Sequence, residues 1–359
     1  MVKLLAVILL LQHWQPFVDG WSQFCGAHMK ADGRVVDDYN GTTHSEAQSY
    51  TMLLATAAGD RVTFDLAWNW TTTHLRRPDD LFAWQWKDGQ VQDDNDASDA
   101  DIVLAWALLR AADIWSNQAY RDAALPIIAA IRRDLVVMQP VPAGALGANS
   151  DDRGQLPVLL PGKVGFVTRT GSTTGSGATP GKVTLNLSYW IYPALAAFAL
   201  ADPGSDAATF WRQLAASGRR LTDLAAAGNP AGLPPDWLDL ASLQPAADHD
   251  PRASYDALRI PLWQIWAAES PSAGAAWQRL WREQNKAWVD LTTQGTADYA
   301  PGLEQHAVLR LIDLSTRADW QGQPSRDLPS IASDNSYFAS AIALLSLTAE
   351  AERRVDAAR

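Results

Sequence analysis

The sequence predicts an all-α protein of paired helices in one domain. Three observations carry this. Apolar residues recur at helical spacing along most of the chain, short Gly- or Pro-marked breaks separate the segments so marked, and alternating β-branched runs are few. No long charged or low-complexity linker divides the 359 residues, 47% of which are hydrophobic, enough for one large core.

The elements follow in chain order. Residues 1–20 read as a secretory signal, with Lys3 as a short positive start. Residues 4–11 form an apolar run too short to span a bilayer, and Val18-Asp19-Gly20 offers small residues for cleavage. The mature domain is then expected over 21–359, starting near Trp21, with no membrane anchor left after signal removal. A structural N-terminal helix is the other reading of the same stretch. Cys25 is the sole cysteine, so no internal disulfide forms; an exported protein without disulfides is consistent with a bacterial periplasm.

Residues 21–40 are polar and carry little pattern. Thr43 and Glu46 then have Thr-x-x-Glu capping-box spacing ahead of an apolar helix. That box by itself explains Glu46, and His44 reads as a neighbouring polar residue without a catalytic role. Gly59-Asp60 breaks the chain before a second helix over 60–75. Residues 81–86 are expected as a loop in which Trp84 and Trp86 project the same way if the stretch is extended.

Asp93-Asp94-Asn95-Asp96 leads into Ala97-Ser98-Asp99-Ala100-Asp101 and a strongly apolar helix reaching Trp115. Ser98 is a good N-cap, and Asp99 and Asp101 sit where a helix N-terminus favours negative charge. A calcium loop fits poorly. Counted from Asp94, the sixth position is Asp99 where an EF-hand needs Gly, and the twelfth is Ala105 where it needs Glu.

Residues 118–138 read as the return helix, 139–165 have little regular pattern, and the Gly/Ser/Thr-rich 168–181 reads as a surface loop. Asn186-Leu187-Ser188-Tyr189-Trp190 opens another apolar helix. Further helices are expected at 206–227, 254–268, 272–292, 301–316 and 330–350, with a Pro/Gly-rich break at 229–235. In Ser254-Tyr255-Asp256-Ala257-Leu258-Arg259, Asp256 again lies at a helix start, with Arg259 one turn on and able to pair with a carboxylate.

The net charge of −11 argues against nucleic acid and anionic membrane surfaces as partners. Trp is in excess, 17 against 8 Tyr and 8 Phe. Much of that must be core, but such an excess also suits a protein that binds flat, weakly polar faces such as sugar rings.

Three acid-bearing stretches resemble glycoside hydrolase family 8. Ser45-Glu46-Ala47-Gln48-Ser49-Tyr50 resembles the family segment with the general acid. Residues 97–115 match its Asp-containing signature nearly throughout; Leu104, where the family usually has Ile or Met, keeps volume. Asp256-Ala257-Leu258-Arg259 resembles the segment with the catalytic base. Leu159-Leu160-Pro161-Gly162-Lys163-Val164-Gly165-Phe166 resembles the branch associated with bacterial cellulose synthesis.

The resemblance implies closure of the helix pairs into an (α/α)6 barrel, in which inner helices start at one end and acids at their N-termini converge on one rim. It implies an exported, periplasmic or secreted, inverting endo-β-1,4-glucanase. Glu46 is the expected acid and Asp256 the base; Asp99 is expected to hold and distort the sugar. Trp84, Tyr189 and Tyr255 are expected in the cleft beside Arg259. No cofactor and no metal is implied. The implied partner is β-1,4-glucan (cellulose), with the cellulose synthase export machinery as a further candidate. The alternatives are a family-8 hydrolase of xylan, chitosan or mixed-linkage glucan, and a non-catalytic glucan-binding protein of the export machinery. Because a helix dipole favours the ionised form of an acid, desolvation or a neighbouring charge such as Asp99 is expected to oppose it at Glu46.

Overall fold

The structure, a computed structural model, describes residues 2–140, 154–168, 181–317, 320, 328–332 and 336–358. Residues 141–153 of the stretch 139–165, and nearly all of the loop expected at 168–181, lie outside the described residues.

Eleven α-helices stand among the described residues: α1 (Val2–His28), α2 (Ser45–Ala58), α3 (Arg61–His74), α4 (Ser98–Ile114), α5 (Gln118–Ala130), α6 (Tyr192–Ala201), α7 (Ala207–Ala227), α8 (Arg259–Trp266), α9 (Gly274–Gln278), α10 (Leu303–Arg317) and α11 (Tyr337–Ala357). α4 is buried along nearly its whole length, from Ser98 to Ala112, as is α8 from Arg259 to Trp266. These helices are buried on all sides and largely apolar, as helices inside a protein are. α7, in contrast, buries one stripe through Trp211, Leu214, Ser217, Gly218, Leu221 and Ala225. Contacts run from α2 to α4, α4 to α6, α6 to α8, α8 to α11, and α11 back to α2. α3 packs on α2, α5 on α4, and α7 on α6. None of the described helices is long and apolar enough to cross a membrane.

Several elements differ from the sequence expectation, each for a physical reason. Residues 81–86 are not a loop. Strand β2 (Ala83–Lys87) pairs antiparallel with β1 (Thr43–His44) and with β3 (Gln90–Asp96), so the acidic run lies on a strand. Register shifts around Gln85 interrupt the regular pairing. Trp84 and Trp86 meet different neighbours: Trp84 stacks on His44, and Trp86 packs edge-on against Trp70. The return helix stops at Ala130, passes through one wide turn at 131–135, and becomes strand β4 (Val136–Pro140) paired with β5 (Gln155–Leu159). Val136-Val137 favours an extended chain over a helix. Pro193 and Pro261 occupy the second and third positions of α6 and α8, where a missing N–H costs no helical bond. Residues 254–258 are consequently a turn ahead of α8. The helix expected over 272–292 is shorter, since α9 ends at Gln278 and one wide turn closes at Glu283.

At the other end, α1 runs unbroken through the expected cleavage point. Phe17 is 1% exposed, Trp21 and Phe24 are buried beside it, and α1 packs along α11. A Cβ at Gly20 would lie 2.6 Å from Ile331. Trp14 stacks on Phe17 with ring centroids 4.1 Å apart, so the packed part of α1 reaches back past the boundary expected between residues 20 and 21.

Most tryptophans serve the core. Trp190, Trp211, Trp263, Trp277 and Trp281 are fully buried.

Candidate active site

The capping box predicted from Thr43 and Glu46 is absent. α2 starts at Ser45, its N-cap is His44 without a side-chain cap bond, and the Thr43 hydroxyl donates to Val35 O at 2.7 Å. Glu46 is thus free to face inward. In the same motif Gln48 is structural: its amide accepts from Val35 N–H at 2.6 Å and donates to Thr71 Oγ1 at 3.0 Å, tying α2 to α3.

At α4 the helix also starts one residue early. Ala97 is the N-cap, and Ser98 makes no cap bond. The two acids there separate in role. Asp101 turns away and accepts the Phe82 N–H at 3.0 Å; burial pushes its carboxyl well above the usual range. Asp99, 2% exposed, faces the same space as Glu46. The stretch 159–166 docks against this helix start. Pro161 O accepts from Ser98 N–H at 2.9 Å, Lys163 N–H donates to Asp96 at 3.0 Å, and the Asn95 amide donates to Val164 O at 2.9 Å. Gly162 is needed there because a Cβ would lie 2.5 Å from the Asp96 carbonyl oxygen.

Arg259 is the hub. It is 2% exposed, and its Nη1 donates to Glu46 Oε2 at 2.6 Å, Asp99 Oδ2 at 2.9 Å and Tyr50 Oη at 3.0 Å. Its Nη2 donates to Asp256. One guanidinium thus joins three carboxylates that lie on three separate elements, the planar fork letting a single side chain serve them all. The Tyr189 ring lies 5.4 Å from the guanidinium carbon. Tyr337, the first residue of α11, donates to Glu46 Oε1 at 2.8 Å and lies 3.4 Å from His44 Nδ1. A cleft of about 210 Å³ is lined by His44, Glu46, Trp84, Asp99, Tyr189 and Tyr337, with Ser45 and Ala97. Its chemistry comes from residues at or just before the N-termini of α2, α4, α6, α8 and α11.

Electrostatics follow from three acids sharing one cation. If all were ionised, the cluster would carry two surplus negative charges in a buried place. Burial, opposed by Arg259 and reinforced by Glu46 and Asp256, pushes Asp99 up to about 7. Burial also raises Asp256, with Arg259 and Asn186 pulling it down. The acids cannot all ionise freely, so the cluster retains a proton into the neutral range. Arg259 itself is held firmly protonated by its acidic neighbours.

A stability test follows. Because the folded-state value of Asp99 lies above its unfolded one, the native state binds more protons than the unfolded chain between about pH 4 and pH 7. Stability attributable to this group is therefore lost as pH rises through that window. Asp99→Asn should raise Tm relative to wild type, and by more at pH 8 than at pH 5. Equal differences at both pH values in thermal melts would contradict this electrostatic picture.

The structure thus brings Glu46, Asp99, Asp256, Arg259, Trp84 and Tyr189 to one place. Tyr255 is more exposed, at 45%; its hydroxyl pairs with Tyr299 at 3.1 Å, and its ring packs edge-on against Phe338, whose ring lies 5.9 Å from the Arg259 guanidinium carbon. The sequence reading passed over Tyr337, Tyr50 and Asp236, and gave His44 no role. Tyr50 is one turn from Glu46 on the same face. Tyr337 follows Ser336, whose hydroxyl caps α11 by accepting from Ala339 N–H at 3.2 Å, so it heads a helix as the acids do. Asp236, in Pro235-Asp236-Trp237, accepts N–H bonds from Ser254 at 2.9 Å and Ala257 at 2.8 Å, pinning the turn that carries Asp256. Burial and the neighbouring Asp256 push its carboxyl up to about 8.

Residues 3–352 match the family model for glycosyl hydrolases family 8. A probable endoglucanase of Novacetimonas hansenii is 34% identical over 351 residues, covering 93% of this chain and 91% of that protein. An endoglucanase of Cellulomonas uda is 33% identical, covering 82% of this chain and 76% of its own. Among solved structures, endo-β-1,4-glucanase CMCax of Acetobacter xylinum superposes with a TM-score of 0.76 at 33% identity, over 94% of this chain and 98% of that one. With the match extending over nearly the whole chain, the protein belongs to glycosyl hydrolases family 8.

Proposed function

We propose that the protein is an endo-β-1,4-glucanase that inverts the anomeric centre, with its helix pairs closed as an (α/α)6 barrel. The observation that carries the reading is Arg259 holding Glu46, Asp99 and Asp256 beside an aromatic-lined cleft. The likeness to endoglucanases at 33–34% identity supports the substrate class. The return of helix contacts from α11 to α2 supports the closure.

In this reading Glu46 gives its proton to the glycosidic oxygen as the bond from that oxygen to the anomeric carbon breaks. Water attacks the same carbon from the opposite face and loses its proton to Asp256. Glu46 and Asp256 are held by different nitrogens of the Arg259 guanidinium. An inverting enzyme needs room for a water beside its base. Asp99 holds the sugar at the cleavage point, and Tyr189 and Trp84 flank neighbouring rings. Trp84 offers sugars one face, since His44 is stacked parallel to it at 5.6 Å.

Trp84→Ala should weaken cello-oligosaccharide binding by about 1–3 kcal/mol, the scale of flat rings stacking on aromatic side chains. Calorimetry on an acid-disabled variant reads this directly; unchanged affinity would assign Trp84 to scaffolding. Reducing-sugar release from carboxymethylcellulose, xylan, chitosan and mixed-linkage glucan tests the substrate, and dominant activity on any but the first would overturn the cellulase reading. We further propose export, with any leader ending before Trp14, because Phe17 packs in the core. Amino-terminal sequencing of a periplasmic or secreted pool tests both points. A role beside the cellulose synthesis machinery rests on the 159–166 resemblance alone.

A further inference from the structure

Tyr337 has one hydroxyl hydrogen and two acceptors in reach, Glu46 Oε1 at 2.8 Å and His44 Nδ1 at 3.4 Å. We propose that His44 is a positioning residue for the acid: the Tyr337 hydroxyl turns between Glu46 Oε1 and His44 Nδ1 as Glu46 loses and regains its proton. The inference rests on the reading of Glu46 as general acid.

His44 occupies the N-cap position of α2, where Ser, Thr, Asp or Asn would cap through the side chain. It makes no such bond. Its ring lies flat on Trp84, with an interplanar angle of 6°, and presents Nδ1 to Tyr337. Glu46 meanwhile has both oxygens occupied, Oε2 by Arg259 and Oε1 by Tyr337. A donor at each oxygen suits the carboxylate left after proton donation and leaves no oxygen free for the proton before it. A hydroxyl resolves this because it donates or accepts as its rotor turns. With the phenol hydrogen on a bare His44 Nδ1, Oε1 carries the proton destined for the glycosidic oxygen. Once that proton has left, the hydroxyl swings to Oε1 and stabilises the new carboxylate. This requires the His44 tautomer with its hydrogen on Nε2. The remaining charged or titratable groups around the pair include Arg259, Asp99, Asp256, Tyr50, Tyr189 and Asp37, and the variants below leave all of them in place.

The test is the pH dependence of kcat/KM for His44→Ala, Tyr337→Phe, their double variant and His44→Asn. Without His44, the hydroxyl has Glu46 as its remaining acceptor, so the alkaline limb moves to lower pH. Without the Tyr337 hydroxyl the carboxylate loses a donor, so the limb moves to higher pH. Each displacement is about one pH unit, the scale of a hydrogen bond to a charged group. The double variant follows Tyr337→Phe, because His44 acts through Tyr337. His44→Asn places an amide oxygen near the Nδ1 position and restores part of the limb. A His44→Ala profile that keeps its limb and changes only KM would reduce His44 to a brace for Trp84 and overturn the proposal. So would limbs that move in the same direction, or a double variant that sums the two. Glu46→Gln is measured alongside. If it retains turnover, the acid assignment itself has failed; if it is inactive while the limbs stay fixed, only the His44 inference has.

Discussion

Glu46→Gln lowers turnover on soluble β-1,4-glucan by about 10²–10⁴-fold, the usual worth of a positioned acid, and leaves the melting profile close to wild type. The substitution is near-isosteric, and the amide oxygen still accepts from Tyr337 or from Arg259, the two donors that Glu46 meets. What disappears is the proton for the departing oxygen. The loss therefore depends on the leaving group. On an aryl cellobioside whose phenol leaves readily as the anion, protonation matters less and most of the deficit vanishes. Asp256→Asn, which removes the acceptor of the water's proton, stays impaired on both substrates. Equal deficits for Glu46→Gln on both would contradict its assignment as the acid.

Arg259→Met destabilises the fold by about 3–5 kcal/mol, the scale for removing one partner of a buried ion pair, and abolishes activity. Methionine fills much of the volume but leaves Glu46, Asp99 and Asp256 facing one another without the cation that each now meets. The native-state proton affinities of Asp99 and Asp256, which Arg259 now lowers, rise further, so the folded state binds more protons than the unfolded one over a wider range. Stability then falls as pH rises, and the Tm deficit is greater at pH 8 than at pH 5. Arg259→Lys restores little, because one ammonium cannot donate to four partners spread around a planar fork. A variant melting like wild type at pH 8 would show that the hub contributes nothing to the fold.

The long apolar helices were legible because their signal is local. Residues 98–114 and 207–227 declare themselves by spacing alone. The strands were not legible. β1 is two residues long, and β2 is recognisable only through partners at Thr43–His44 and Gln90–Asp96. The sequence also placed the acids at helix starts, and the structure has Glu46 and Asp99 in the first turns of α2 and α4. Helix position alone does not separate Asp99 from Asp101; the resemblance does, and in the structure Asp101 is the one that accepts the Phe82 N–H. Arg259 was visible as a partner for Asp256 three residues away. Its bonds to Glu46 and Asp99 span 213 and 160 positions and exist only after folding. Tyr255 came from the resemblance, and its local sequence carries no signal for its pairing with Tyr299, 44 positions on.

The stereochemistry of the first product tests fold, roles and spacing together. Acid and base are 210 positions apart in the chain (256 minus 46). An inverting pair needs carboxyl groups roughly 6.5–9.5 Å apart to admit water, against about 5–5.5 Å for a retaining nucleophile. Proton NMR of a cello-oligosaccharide digest, recorded before mutarotation, reads the outcome directly. The account predicts the α-anomer at the new reducing end; the β-anomer appearing first would contradict it.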